Sequence, residues 1–306
     1  MRVLAIIAGG LGNQMQMTAP LVTLRERLGW RIEVVSVGAP VAGGPLREML
    51  PFPTHGPGVR TIGFDGVVGL GFGSYGGNQA DGWRGLTWLN TLSDQVVRTA
   101  KSEVDVAMDA CRELGVAEED LIWHGEMSCN EEYQERFDVV IANNYYKGPN
   151  KQRTTDHWHV RGYPGIKTLA AEIRKAWPEL SICCIGLDDR EYVEGTTDRT
   201  GLPLGDALAL IKRARILIST DTMAFHAGAC FDTPTFAIWT ATSRVKSACP
   251  KFHHTARLIG RDDLACRDTC FADRQRWTHC QRWECQEIGV GHIMGIIEEE
   301  RGKLWK

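Results

Sequence analysis

The chain has 306 residues, of which 43% are hydrophobic and 24% charged, and its formal net charge is −3. That length suits two α/β domains, each able to bury its own core. The charge balance gives no general attraction to nucleic acid or anionic membrane, and no run of about 20 apolar residues reads as a spanning helix.

The first predicted element is a strand, 2-RVLAIIA-8. Gly9, Gly10 and Gly12 interrupt the apolar run too early for an export signal. A cytoplasmic location is therefore expected, and the ten cysteines read mainly as thiols rather than as a disulfide frame. The strand runs into a glycine-rich turn with an amide pair, 8-AGGLGNQMQMTAP-20, and a helix-like segment over 14–29 follows. Next come a strand at 31-RIEVVSV-37 and a glycine-rich middle, 56–85, with little helical periodicity. A second helix-like segment covers 93–115. A new strand series begins at 137-FDVVIAN-143 and continues with 181-SICCIG-186, 215-RILIST-220 and 234-PTFAIW-239. Helices are predicted between them at 165–177, 204–214 and 223–230, and a closing helix in the tail 286–305. A long polar loop, 143–164, separates the first of these strands from its helix; loops of that length in compact domains are often functional.

Strands that are apolar nearly throughout, alternating with helices, predict doubly wound parallel sheets. The fold class is α/β with two Rossmann-like domains, residues 1–134 and 135–306.

Two stretches carry candidate chemistry. In the first, strand, glycine turn and helix follow one another at Gly10, Gly12, Asn13 and Gln14. The first amides of a helix lack intrahelical partners and suit a phosphate, so this is either a ligand contact or a tight turn alone. It is not the dinucleotide fingerprint: the third glycine and the acidic residue ending the second strand are missing. In the second stretch, the strand 215–220 ends in Thr220, Asp221 and Thr222, and a small-residue helix with Met223 and His226 follows. The carboxyl ends of parallel strands are where such sheets bind ligands. Asp221 reads as a helix cap or a ligand contact, and His226 as a buried structural histidine or part of the site.

The segment 198-DRTGLPLGDALALIKRARILISTDTMAFHAGACFDTPTFAIWTATS-243 resembles the C-terminal half of the ADP-heptose:LPS heptosyltransferase family. Asp221, Thr222, His226, Ala227, Ala229, Thr233 and Pro234 match its motif, whereas Met223 and Gly228 stand where the family has glycine and alanine. Gly10, Leu11, Gly12 and Pro20 fit its N-terminal motif, and the tail cysteines are similar to its C-terminal ones. The stretch 9-GGLGNQM-15 also resembles the first motif of α-1,2-fucosyltransferases, so the donor need not be ADP-heptose. The resemblance is weakest from about 40 to 135. It implies GT-B glycosyltransferase architecture, two Rossmann-like domains with a cleft between them. The N-terminal domain would face the acceptor, and the C-terminal domain would hold a nucleotide-diphosphate sugar as co-substrate with no required metal or cofactor. Asp221 would contact donor-sugar hydroxyls, Thr222 and the following amides the diphosphate, and His226 would support the loop.

Two departures qualify the resemblance. The family's presumed base, an aspartate, is Asn13 here, and an amide cannot take a proton. The family's phosphate-binding lysine has no counterpart beside Trp158, and Lys151 or Arg153 is the nearest substitute. The base is then sought at Asp65, Asp81, His55 or Asp94.

The cysteines Cys266, Cys270, Cys280 and Cys285 read as buried thiols, with zinc the alternative. The functional expectation is an inverting glycosyltransferase acting on a glycan or lipopolysaccharide acceptor. The basic and aromatic residues of 244–285 keep a hydroxylated DNA base open as acceptor. A sugar-nucleotide hydrolase or epimerase, a non-catalytic nucleotide-sugar binder and a zinc-dependent nucleic-acid binder are the other readings.

Overall fold

A computed structural model describes residues 1–38, 48–56, 59–60, 62–70, 101–143, 161–187, 191–266, 280 and 282–304. The chain divides into two compact units. The first comprises Met1–Cys129, Ala229–Phe231 and Val245–His254; the second comprises Asn130–Gly228, Asp232–Arg244 and Thr255–Lys306.

In the first unit, β1 (Arg2–Gly9), β2 (Arg31–Gly38), β3 (Thr54–His55) and β4 (Gly66–Leu70) form a parallel sheet of order β3-β2-β1-β4. β1 is central because Val3, Leu4, Ala5, Ile6 and Ile7 present apolar side chains to both faces, and all five are buried. Its helices among the described residues are α1 (Leu11–Gln16), α2 (Thr18–Leu28) and α3 (Glu103–Glu113). The sequence places a single helix over 14–29. It begins earlier, at Leu11, so the glycine turn is itself the first helical turn, and Met17 divides it into two. α2 ends where Gly29 turns left-handed, at φ 65°, a conformation that glycine adopts without steric cost. Of the helix placed at 93–115, 93–100 lie outside the described residues; Ser102 caps the remainder by accepting a hydrogen bond from the Asp105 amide (3.2 Å).

The second unit has a six-stranded parallel sheet of order β10-β9-β8-β5-β6-β7. Its strands are β5 (Val139–Ala142), β6 (Ile182–Gly186), β7 (Thr197–Thr200), β8 (Ile216–Ser219), β9 (Thr235–Trp239) and β10 (Ala256–Gly260). Among its helices are α4 (Ile166–Ala176), α5 (Leu204–Arg213), α6 (Met223–Cys230), whose last two residues belong to the first unit, and α8 (Val290–Leu304). A short helix, α7 (Arg244–Ser247), starts the segment that rejoins the first unit. Val139, Ile141, Ile216, Ile218, Phe236 and Ile238 from the sheet pack with Leu169 and Ile173 of α4 and Ile293 and Ile297 of α8 in one apolar core. From β5 the chain winds outward through β6 and β7, then returns to the other side of β5 for β8, β9 and β10. This is the doubly wound order, and its reversal lies between β5 and β8. Among the described residues, no helix is long and apolar enough to cross a membrane.

Candidate functional site

In the second unit the expected ligand position is the carboxyl end of β5 and β8, where neighbouring crossovers leave in opposite directions and open a crevice. Asp221 and Thr222 follow β8 there, and α6 begins immediately after, at Met223. Thr220 and Asp221 are buried, whereas Thr222 and Met223 are partly exposed. The Asp221 carboxylate is only 3% exposed, and the Arg161 guanidinium donates both to its Oδ2 (2.8 Å) and to the Asp221 carbonyl (2.6 Å). Two bonds from one rigid cation fix carboxylate and backbone together.

Arg161 itself is anchored from several strands. The Thr240 hydroxyl, just past β9, donates to the Arg161 carbonyl (2.9 Å), and the Gln286 side chain donates to the Gly162 carbonyl (3.0 Å). Asn143, just past β5, exchanges two hydrogen bonds with the Tyr163 backbone, at 2.8 and 3.1 Å. The Tyr163 hydroxyl donates to the Ile288 carbonyl (2.6 Å). The arginine is therefore held at the sheet's ligand edge by the ends of β5 and β9 and by the segment leading into α8. His226 Nε2 lies 3.8 Å from Asp221 Oδ1, inside α6. Burial pulls its imidazole down to about 4, against the Asp221 carboxylate, which favours the charged form; Arg161 adds to the downward shift. His226 is thus neutral at pH 7.

Two further polar groups lie at the same edge. Trp239 ends β9 and Thr242 follows it; the indole N–H and the Thr242 hydroxyl are buried, and neither has a hydrogen-bond partner among the described residues. Buried donors left unpaired cost about 1–3 kcal/mol each, a penalty that a polar ligand in this crevice would relieve. The Trp239 ring packs edge-on against Phe225 of α6, centroids 5.0 Å apart.

In the first unit the glycine turn follows β1. The Asn13 carboxamide works in two directions: Oδ1 accepts from the Gly10 amide (3.2 Å), and Nδ2 donates to Glu103 Oε2 (2.7 Å). The turn amide that could have met a phosphate is thereby bonded to its own helix. Gln14, expected at the donor, is fully buried; it donates to the Gly9 carbonyl (2.9 Å) and accepts from the Ser36 hydroxyl (2.5 Å), tying the ends of β1 and β2 together. Gly10 is exposed and Gly12 partly so.

The other sought-after residues are distributed elsewhere. Asp65 precedes β4 and accepts from the Arg2 amide (2.7 Å), at the amino-terminal edge of the sheet, opposite the glycine turn. His55 pairs with Glu33 (2.7 Å), whose carboxylate also holds Arg2 and Arg31, the first residues of β1 and β2. Asp81, Asp94, Lys151, Arg153 and Cys270 lie outside the described residues. Cys266, Cys280 and Cys285 form no disulfide among the described residues.

Reading the sequence missed two residues of these sites. Arg161 is the arginine of 161-RGYP-164, at the end of the long polar loop whose length the sequence reading noted as one often functional. Glu103 sits on the apolar stripe of its helix, in phase with buried Ala107, Ala110 and Cys111; a charge on such a stripe is a signal that periodicity alone provides.

Comparison with known proteins places this geometry in context. No family model and no curated protein matches the sequence. Solved structures match over nearly the whole chain. The glycosyl transferase family 9 protein from Veillonella parvula is 13% identical, with 97% of this chain and 96% of that one covered and a TM-score of 0.70. The dodecameric iron-containing heptosyltransferase TibC, solved with ADP-D-beta-D-heptose, is 16% identical, with 99% and 77% covered and a TM-score of 0.66. The E. coli ADP-heptose lps heptosyltransferase II is 15% identical, with 97% and 100% covered and a TM-score of 0.62. The chain has the GT-B fold of these glycosyltransferases, as the sequence motifs predict.

Proposed function

We propose that the protein is a glycosyltransferase that moves a sugar from a nucleoside-diphosphate sugar to an acceptor hydroxyl, with inversion, without a required metal, and with a glycan as acceptor. One observation carries the reading: a buried carboxylate, Asp221, fixed by Arg161 at the switch point of the second unit's sheet, with Thr222 and the start of α6 directly after it. The shared fold with heptosyltransferases supports it.

The chemistry follows from charge. As the bond between the anomeric carbon and the diphosphate breaks, its electron pair leaves on the diphosphate, and positive charge spreads over the sugar ring. The Thr222 hydroxyl and the first amides of α6 meet the diphosphate, and the helix dipole favours the charge that builds there. Asp221 accepts hydrogen bonds from sugar hydroxyls and is kept in place by Arg161. The Trp239 N–H and the Thr242 hydroxyl find partners on the same ligand.

The test is a thermal-shift panel of nucleoside-diphosphate sugars on the wild type and on Asp221→Asn, which keeps the shape and the bond from Arg161 but loses the charge. At a hundred times Kd, one donor stabilises the wild type by about 2.7 kcal/mol. Asp221→Asn melts below the wild type without ligand, stays folded because the bond from Arg161 persists, and binds that donor at least tenfold more weakly. Stabilisation by no nucleotide sugar, or equal affinity in the variant, overturns the reading. Donor consumption by water alone, with no acceptor raising the rate, reassigns the site to a hydrolase.

A further inference from the structure

Residues 161–163 run past the carboxyl end of the second unit's sheet, ahead of α4, and belong to none of its strands. Backbone outside a ladder still carries an N–H and a C=O per residue that need partners. Here side chains from three other segments supply them. The Thr240 hydroxyl, past β9, donates to the Arg161 carbonyl (2.9 Å), and Gln286, ahead of α8, donates to the Gly162 carbonyl (3.0 Å). Asn143, past β5, accepts from the Tyr163 amide (2.8 Å) and donates to the Tyr163 carbonyl (3.1 Å).

The last of these needs a donor and an acceptor side by side. A carboxamide offers both; a carboxylate has no donor. The Tyr163 N–H and C=O also fix which way round the carboxamide lies. Its place in the sheet is equally specific. β5 and β8 are parallel neighbours with Ala142 opposite Ser219, and the Ala142 carbonyl accepts from the Thr220 amide (3.2 Å). Asn143 and Asp221 are thus the residues that follow these last contacts on the two strands flanking the switch point. Asn143 holds the 161–163 peptide at one end, and Asp221 takes the guanidinium at the other.

The bonds from Asn143 and Gln286 go to main chain. What they set is where the backbone of Arg161 sits, and so how its rigid fork meets the Asp221 carboxylate and carbonyl. A fork tolerates little displacement before one of its two bonds is lost.

We infer that Asn143 and Gln286 are positioning residues for binding of the nucleoside-diphosphate sugar, holding the 161–163 peptide so that Arg161 orients Asp221; this rests on the glycosyl-transfer reading above. Asn143, with two bonds, carries the larger share and Gln286, with one, the smaller. Their effect on the donor runs through Arg161.

The experiment is a double-mutant cycle read by calorimetry, at a temperature where the variants are folded. The probe is the nucleoside-diphosphate sugar that most stabilises the wild type. Asn143→Ala and Gln286→Met are each made in the wild type and in Arg161→Lys. The lysine keeps a charge beside Asp221 but is a flexible point charge, able to reach the carboxylate from a displaced backbone. In the wild type, Asn143→Ala weakens binding about tenfold and Gln286→Met about threefold; in Arg161→Lys the first loss shrinks to threefold or less and the second vanishes. A purely structural role lowers melting temperature in both backgrounds and leaves the affinity of the folded protein unchanged.

A loss under threefold from Asn143→Ala overturns the assignment and leaves the transferase reading intact. So does a loss as large in Arg161→Lys as in the wild type. Where Asn143→Ala does not fold, Gln286→Met carries the same cycle, and wild-type affinity in that variant overturns the assignment. Where Arg161→Lys binds too weakly to measure, Gln286→Met decides in the wild type, since it shares only the 161–163 peptide with Asn143. A wild type that binds no nucleotide sugar overturns both readings.

Discussion

Each of the two sheets buries a carboxylate at the carboxyl end of its strands, and the two are held differently. Asp221 is gripped by a guanidinium through its side chain and its backbone at once. Glu103 is gripped by two carboxamides, with an ammonium at a longer 3.4 Å. The first arrangement fixes a position, because the planar fork of the guanidinium defines an orientation. The second fixes an orientation through neutral donors and sets an ammonium against the other carboxylate oxygen.

Three measurements break or sharpen that contrast. The largest effect is expected from Asp221→Ala, which strands a mostly buried guanidinium; chemical denaturation shows a loss of about 4 kcal/mol. A loss under 1 kcal/mol means that Arg161 finds water instead, and the grip is weak. The next concerns His226, whose imidazole is lowered from 6.5 to about 4. Below pH 6.5 the unfolded chain takes up a proton that the folded chain refuses, so stability falls as pH drops from 6.5 to 4 and levels off below. That loss amounts to about 3 kcal/mol, and His226→Gln flattens this part of the melting-temperature profile. A profile as steep in the variant assigns the loss to other groups. The smallest belongs to the first unit: Lys246→Met removes the ammonium but leaves both carboxamides on Glu103, at a cost of about 1.5 kcal/mol. A cost equal to that of Asp221→Ala erases the difference between the two edges.

The sequence made the centre of each sheet legible and its margins obscure, for a physical reason. β1, β5, β8 and β9 are buried on both faces, so their residues are apolar almost without interruption. The strands that sequence reading overlooked are the outermost described ones, β3, β4, β7 and β10. β7 reads Thr-Asp-Arg-Thr, a partly exposed edge with no apolar residue to betray it. β4 is only Gly-Val-Val-Gly-Leu, inside a stretch whose glycines hide its periodicity. The sites divide along the same line. Asp221 and Thr222 were legible because a strand end and a helix start are local events. Arg161 and Glu103 were not, because their partners lie 60 and 90 positions away in the chain. Gln14 shows the converse: its place beside a glycine turn suggests a ligand, and only the fold reveals the Ser36 hydroxyl that it meets.

The first unit is not a continuous piece of chain. Ala229–Phe231 and Val245–His254 return to it from far downstream. They bring Lys246 to Glu103 and close over Gly125 so tightly that an added Cβ would stand 2.8 Å from Phe252 and 2.9 Å from Cys230. A single cut in the chain therefore does not separate the two units. A splice near residue 130 that joins this N-terminal half to a relative's C-terminal half imports foreign residues into the first unit itself. Such a chimera has to supply residues that fit beside Gly125 and a cation for Glu103. Grafting the first unit into another chain has to carry its three separated segments together.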